Sequence, residues 1–156
     1  MAAVPRPVGS ISLPIGSDAD LALVRQQVRQ AATDLGFGLV QQTKLVTAAS
    51  ELARNTLVHG GGGLVEIARL DDGQRSGLRL SFVDQGPGIR DVELAMTDGY
   101  TTGGGLGLGL SGSRRLVDSF AIDTGRDRGT TVTVVAWATG VPAPRSGSDF
   151  PRPGAG

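Results

Sequence analysis

The sequence predicts an α+β two-layer sandwich, with helices on one face of a mixed, mostly antiparallel sheet. Three observations predict it. Apolar spacing alternates between strand-like and helix-like periods in the order strand, two helices, two strands, short helix, glycine run, helix, two strands. Each of the two later strand pairs is joined by a turn-forming segment, DDGQRSG or GRDRG, which suits antiparallel hairpins. A length of 156 residues with 39% hydrophobic content allows one modest core, and so one domain.

Element by element, Ser10 to Ile15 alternates as a short strand after a flexible start at residues 1–9. Asp18 can cap a first helix carrying Leu21, Val24, Val28, Ala31, Ala32 and Leu35 at helical spacing, and Gly36 ends it. A second helix runs from about Val40 to Val58, with Leu45, Ala49, Leu52, Ala53 and Thr56 on its buried side, until the glycines at 60–63 stop it. Strands follow at Leu64 to Leu70 and Leu78 to Asp84. Beyond DQGPGI come a short helical segment from Asp91 to Thr97, the glycine run, and a helix from about Leu108 to Asp118. Strands at Phe120 to Thr124 and Thr130 to Trp137 close a domain spanning 10–138. From Thr139 the chain is rich in Pro, Gly and Ser and reads as a disordered tail, 139–156.

Composition removes several classes of function. Fifteen basic and fifteen acidic residues cancel, so no net field favours a polyanion and no nucleic-acid partner is expected. The absence of cysteine excludes disulfides and thiolate chemistry, and the single histidine, His59, cannot build a zinc site alone. A metal would have to be bound by oxygen. No apolar run reaches the roughly 20 residues of a membrane span, and the first ten residues lack the core of a signal peptide, which predicts a cytoplasmic protein without membrane attachment.

Three segments carry chemistry. Glu51 and Asn55 lie four apart and so share one face of the second helix, with Lys44 on nearly the same side. Alone, that pattern describes an ordinary solvated helix face. The segment LSFVDQGPGI, residues 80–89, is an apolar strand that ends in Asp84 and breaks into Gly86, Pro87 and Gly88. A plain turn needs no carboxylate there, whereas glycines leave room for a flat ligand whose amino group Asp84 can accept from. The run TTGGGLGLGL, residues 101–110, sets Gly103, Gly104, Gly105, Gly107 and Gly109 before a helix, where consecutive backbone N–H groups can cradle phosphate. Leu106 and Leu108 within it argue against a solvated linker. A dinucleotide fingerprint is excluded because Gly107, Gly109 and Gly112 do not follow a strand, and no Walker-type lysine motif exists.

Read in order, ELARN (51–55), DQGPGI (84–89), GGGLGLGL (103–110) and GTTV (129–132) resemble the N, G1, G2 and G3 boxes of the GHKL superfamily of histidine kinases, gyrase-type topoisomerases and heat-shock chaperone ATPases. LGFG, SELARN, DQGPGI, DGYTT and SRRLVDSF are similar, more narrowly, to the RsbT-type serine/threonine switch kinases. The resemblance implies a Bergerat-type fold binding ATP and Mg2+. Residue by residue it implies Glu51 as the catalytic base, Asn55 as the metal-holding amide and Asp84 as the reader of adenine. It also implies Gly86 and Gly88 beside the base, Gly103 to Gly109 as the phosphate lid with Leu106 and Leu108, and Thr130 near the adenine. His59 reads as a helix C-terminal residue.

The same resemblance implies partners of three kinds: STAS-domain antagonist or scaffold proteins as phosphate acceptors, a PP2C-type phosphatase activated by contact, or a sigma factor held as by RsbW-type anti-sigma kinases. An acid at position 51 favours phosphoryl transfer over a nucleotide-dependent binding module, which needs no base. Between Asp84 and Gly109 the only basic residue is Arg90, so the lid brings no cluster of cations to the transferring phosphate and slow turnover is expected.

Overall fold

The computed structural model describes residues 6–86, 109–125 and 129–138. Its elements are β1 (Arg6–Ile15), α1 (Asp18–Asp34), α2 (Leu39–Val58), β2 (Gly63–Asp71), β3 (Ser76–Asp84), α3 (Gly109–Arg115), β4 (Ser119–Gly125) and β5 (Gly129–Trp137). The strands form one sheet in the order β1-β2-β3-β5-β4. Every pairing among the described residues is antiparallel, so the two-layer α+β architecture holds while the mixed pairing expected of the sheet is not seen.

The register explains how the layers meet. Residues directly opposite one another share a face, and the face alternates along each strand. Ile11, Ile67, Leu80, Val134 and Phe120 form one crosswise row, and Leu13, Val65, Phe82, Val132 and Ile122 form the next on the same face. The helices cover these rows, except for the exposed Ile11 on the edge strand, with Leu21, Val24 and Val28 from α1 and Leu45, Ala49, Leu52 and Ala53 from α2. Burying an apolar side chain of this size contributes about 1.5–3 kcal/mol, so the two rows and their helical cover dominate the stability of the layer.

Local chemistry sets the helix ends. Ser17, not Asp18, is the N-cap of α1: its backbone is extended and its hydroxyl accepts from Asp20 N–H at 3.2 Å. Asp18 instead begins the helix, where it and Asp20 face the positive end of the helix dipole. Helix α2 starts at Leu39, and Gln41 holds its start by accepting from Gly38 N–H at 3.2 Å and donating to the Trp137 carbonyl at 3.1 Å. The first strand begins at Arg6, earlier than the alternation at 10–15 suggested. Helix α3 stops at Arg115 instead of Asp118 because Asp118 joins β5: its N–H donates to Val135 O at 2.9 Å and its carboxylate accepts from Trp137 N–H at 2.7 Å. The helical segment expected at 91–97 and the tail from 139 lie outside the described residues.

Candidate functional site

One register step beyond the last apolar row, the chemistry of the sheet changes. The row Ile15, Gly63, Asp84, Thr130, Thr124 crosses all five strands at one end. Asp84 continues the parity of Leu78, Leu80 and Phe82, so its carboxylate faces the helix layer where an apolar side chain would be expected. Thr130, opposite it on β5, is buried, and its hydroxyl lies 2.9 Å from that of Thr124.

The end of α2 meets Asp84. The N–H groups of His59 and Gly60 both donate to the Asn55 carbonyl, at 2.9 and 3.1 Å, and Gly62 N–H donates to Thr56 O at 2.9 Å. These bonds curl the chain so that Gly60 lies against the Asp84 side chain: a Cβ on Gly60 would stand 2.7 Å from Oδ2 and would collide with Cγ. Asp84 Oδ1 accepts from Gly86 N–H at 2.8 Å, and a Cβ on Gly86 would stand 2.8 Å from Gly60 Cα. On the far side Gly129, at φ +76°, packs against the Asp84 carbonyl so closely that no side chain fits. The carboxylate is therefore approached by backbone at Gly60 and Gly86, while Gly129 lies against the Asp84 main chain, and side chains at these positions would crowd Asp84.

Glu51 and Asn55 stand one turn apart on α2, both half-buried, on a side separate from the core-facing Leu45, Ala49, Leu52, Ala53 and Thr56. Asn55 is the nearer to Asp84 along the helix, and its backbone carbonyl anchors the turn that carries Gly60. Helix α3, which opens with Gly109, packs on α2. The structure thus brings Glu51, Asn55, Asp84, Gly86, Gly109 and Thr130 to α2 and the adjoining end of the sheet. Gly88, Gly103, Gly104, Gly105, Leu106, Gly107 and Leu108 lie outside the described residues.

Among the described residues no group of three or more His, Asp or Glu side chains gathers as a metal cage. An oxygen-binding cation at Asn55 would take most of its ligands from phosphate and water, which is how Mg2+ is ordinarily held. Asn55 supplies a hard oxygen donor, and the site fits such an ion.

Gly129 falls within the GTTV segment that the sequence marks, whereas Gly60 reads there only as a helix stop. The available signal was an excess: four consecutive glycines follow α2 where one suffices to end a helix.

Residues 40–139 match the family model of histidine kinase-, DNA gyrase B- and HSP90-like ATPases. Over 123 residues the chain is 42% identical to the serine/threonine-protein kinase RsbT of Bacillus subtilis, covering 79% of this chain and 92% of that protein. It is 31% identical over 96 residues to an anti-sigma F factor of Clostridium beijerinckii, covering 56% of this chain and 65% of that protein. A crystal structure of the RsbU and RsbW domains of a Mycobacterium tuberculosis protein superposes with a TM-score of 0.58 at 22% identity, over 92% of this chain and 35% of that longer one, and shares the fold. No helix among the described residues is long and apolar enough to cross a membrane. The matched family and the extent of the kinase likeness together show what the chain is: a member of the histidine kinase-, DNA gyrase B- and HSP90-like ATPase family, an ATP-using serine/threonine protein kinase of the RsbT type.

Proposed function

We propose that this kinase works in a partner-switching pathway, transferring the γ-phosphoryl group of ATP to one serine or threonine of a STAS-domain antagonist or scaffold protein. The observation that carries this reading is the continuity of α2. Glu51 and Asn55 project from one helix, and Gly60, in the turn tied to the Asn55 carbonyl just past its end, packs on Asp84, so groups suited to phosphate chemistry and to base recognition are linked through one short segment.

On this reading Asp84 accepts from the exocyclic amino group of adenine, while Thr130 borders the base. Gly86 and Gly88 leave room for the ring, and the glycines from 103 to 109, with Leu106 and Leu108 between them, cover the phosphates by their backbone N–H groups. Asn55 holds Mg2+ through its amide oxygen; the ion, when bound, neutralises charge on the phosphates. Glu51 takes the proton of the attacking hydroxyl as the bond to phosphorus forms and the bond to ADP breaks.

Incubation with magnesium ATP and candidate STAS proteins, read by mass spectrometry, should give one added phosphate on one serine or threonine. Glu51→Gln should still bind ATP and lose about 10²–10⁴-fold in transfer rate, because an amide fills the space without accepting a proton. Transfer at the wild-type rate would remove Glu51 from the base role. The likeness to anti-sigma F factors supports a second reading, in which the chain also holds a sigma factor. A sigma factor retained in the presence of ATP and released by the unphosphorylated antagonist would favour it. Contact activation of a PP2C-type phosphatase would appear as a rise in phosphatase turnover on adding the kinase alone.

A further inference from the structure

Gly60 is a glycine without a conformational reason to be one. The positive-φ positions after α2 are Gly61 (75°) and Gly62 (103°), and Gly60 is not among them. Alanine would be tolerated at 60 by the backbone. What alanine lacks there is space: its Cβ would stand 2.7 Å from Asp84 Oδ2 and press on the rest of that side chain. Nor is there slack beside it, since Gly86 approaches Gly60 backbone to backbone and its N–H holds Asp84 Oδ1 at 2.8 Å. The carboxylate is thus clamped between two main chains, one tethered through Gly60 N–H to the Asn55 carbonyl at 3.1 Å.

We propose that Gly60 is a positioning residue of the nucleotide site, its missing side chain allowing the end of α2 to press the Asp84 carboxylate into the orientation that reads the base. The inference rests on the reading of Asp84 as the acceptor for the adenine amino group. A methyl at 60 must be relieved by turning the Asp84 side chain or by parting β3 from α2. Either movement takes the acceptor off the line of the amino N–H, and a hydrogen bond weakens steeply once its angle is lost.

The test compares binding of ATP with purine riboside triphosphate, which lacks the exocyclic amino group and keeps the ring and phosphates. The wild-type chain should prefer ATP by about tenfold or more, the range expected for a hydrogen bond to a charged acceptor. Gly60→Ala should bring the ratio close to one by weakening ATP alone. Gly61→Ala is the structural control: it strains a positive φ yet meets nothing within 4 Å, so the melting temperature should fall and the ratio should stand. A wild-type chain that does not distinguish the two nucleotides removes the adenine reading of Asp84, and the inference with it. A discriminating wild type whose Gly60→Ala variant discriminates equally overturns the inference alone. Should Gly60→Ala fail to fold, the same change in an Asp84→Gly background decides the matter. With no side chain at 84 the methyl has room, and folding should return. Equal loss of folding in both backgrounds would overturn the clamp.

Discussion

Two neighbouring rows of one sheet face have opposite chemistry. Leu13, Val65, Phe82, Val132 and Ile122 are apolar throughout, whereas two residues further along the same strands stand Ile15, Gly63, Asp84, Thr130 and Thr124. The first row lies under helices and gains stability from burial. The second sets a half-buried carboxylate and a glycine where the pattern calls for apolar side chains, and a carboxylate in such a place is costly unless something offsets it. Strand geometry alone carries the transition from the apolar part of the sheet to the end that, on the proposed reading, meets the nucleotide.

The largest effect should come from the apolar row. Phe82 is almost wholly buried, and Phe82→Ala should cost about 3–5 kcal/mol of unfolding free energy in urea titration, with ATP binding lost only as the fold is lost. A cost near zero would mean that this row is not the core of the sheet. At the start of α1, in neither row, Ser17→Ala should remove the helix cap for about 1 kcal/mol and leave ATP affinity unchanged; weaker ATP binding in that folded variant would couple α1 to the site. Thr130→Val keeps shape and deletes the hydroxyl 2.9 Å from Thr124. It should cost at most about 1 kcal/mol in stability while lowering ATP affinity, and the reverse pattern would assign Thr130 to the core.

The smallest effect is that of acid. Hydrogen bonds from Gln30 and Arg69 hold the Asp34 carboxyl below its ordinary value of 3.8, and the Gln74 and Arg75 backbone N–H groups do the same for Asp72. Folded-state values lowered in this way mean that the unfolded chain takes up protons first. Both contributions are whole above the ordinary value and vanish as pH falls through the folded ones, so acid titration by circular dichroism should show no loss from these groups at neutral pH. Because the Asp34 carboxyl is exposed its effect is slight, and Arg69→Gln should remove only the arginine's part of it.

Much of this was legible in the sequence, for reasons that separate local from nonlocal information. Helical spacing located α1 and α2 because their buried residues are set by the helix period alone, and Asp84 stood out as a carboxylate ending an apolar strand. The N-cap was misplaced by one residue because Ser17 and Asp18 are both competent caps and only the backbone angle at 17 distinguishes them. The end of α3 was missed because Asp118 is drawn to β5, a contact no local pattern encodes. Gly60 read as a helix stop, since its neighbour across the fold, Asp84, is distant in the chain.

The measurement that bears most directly on the two-row account is a calorimetric titration of magnesium ATP into the wild-type chain and Asp84→Asn, with urea unfolding of both. Asparagine keeps the oxygen that accepts from Gly86 N–H, so the fold should be retained. Losing the charged acceptor should weaken ATP binding by about 1.5–3 kcal/mol, or roughly one to two decades in affinity, at nearly unchanged unfolding free energy. Equal ATP affinity in the two proteins would contradict the account, as would a loss of affinity matched by an equal loss of stability.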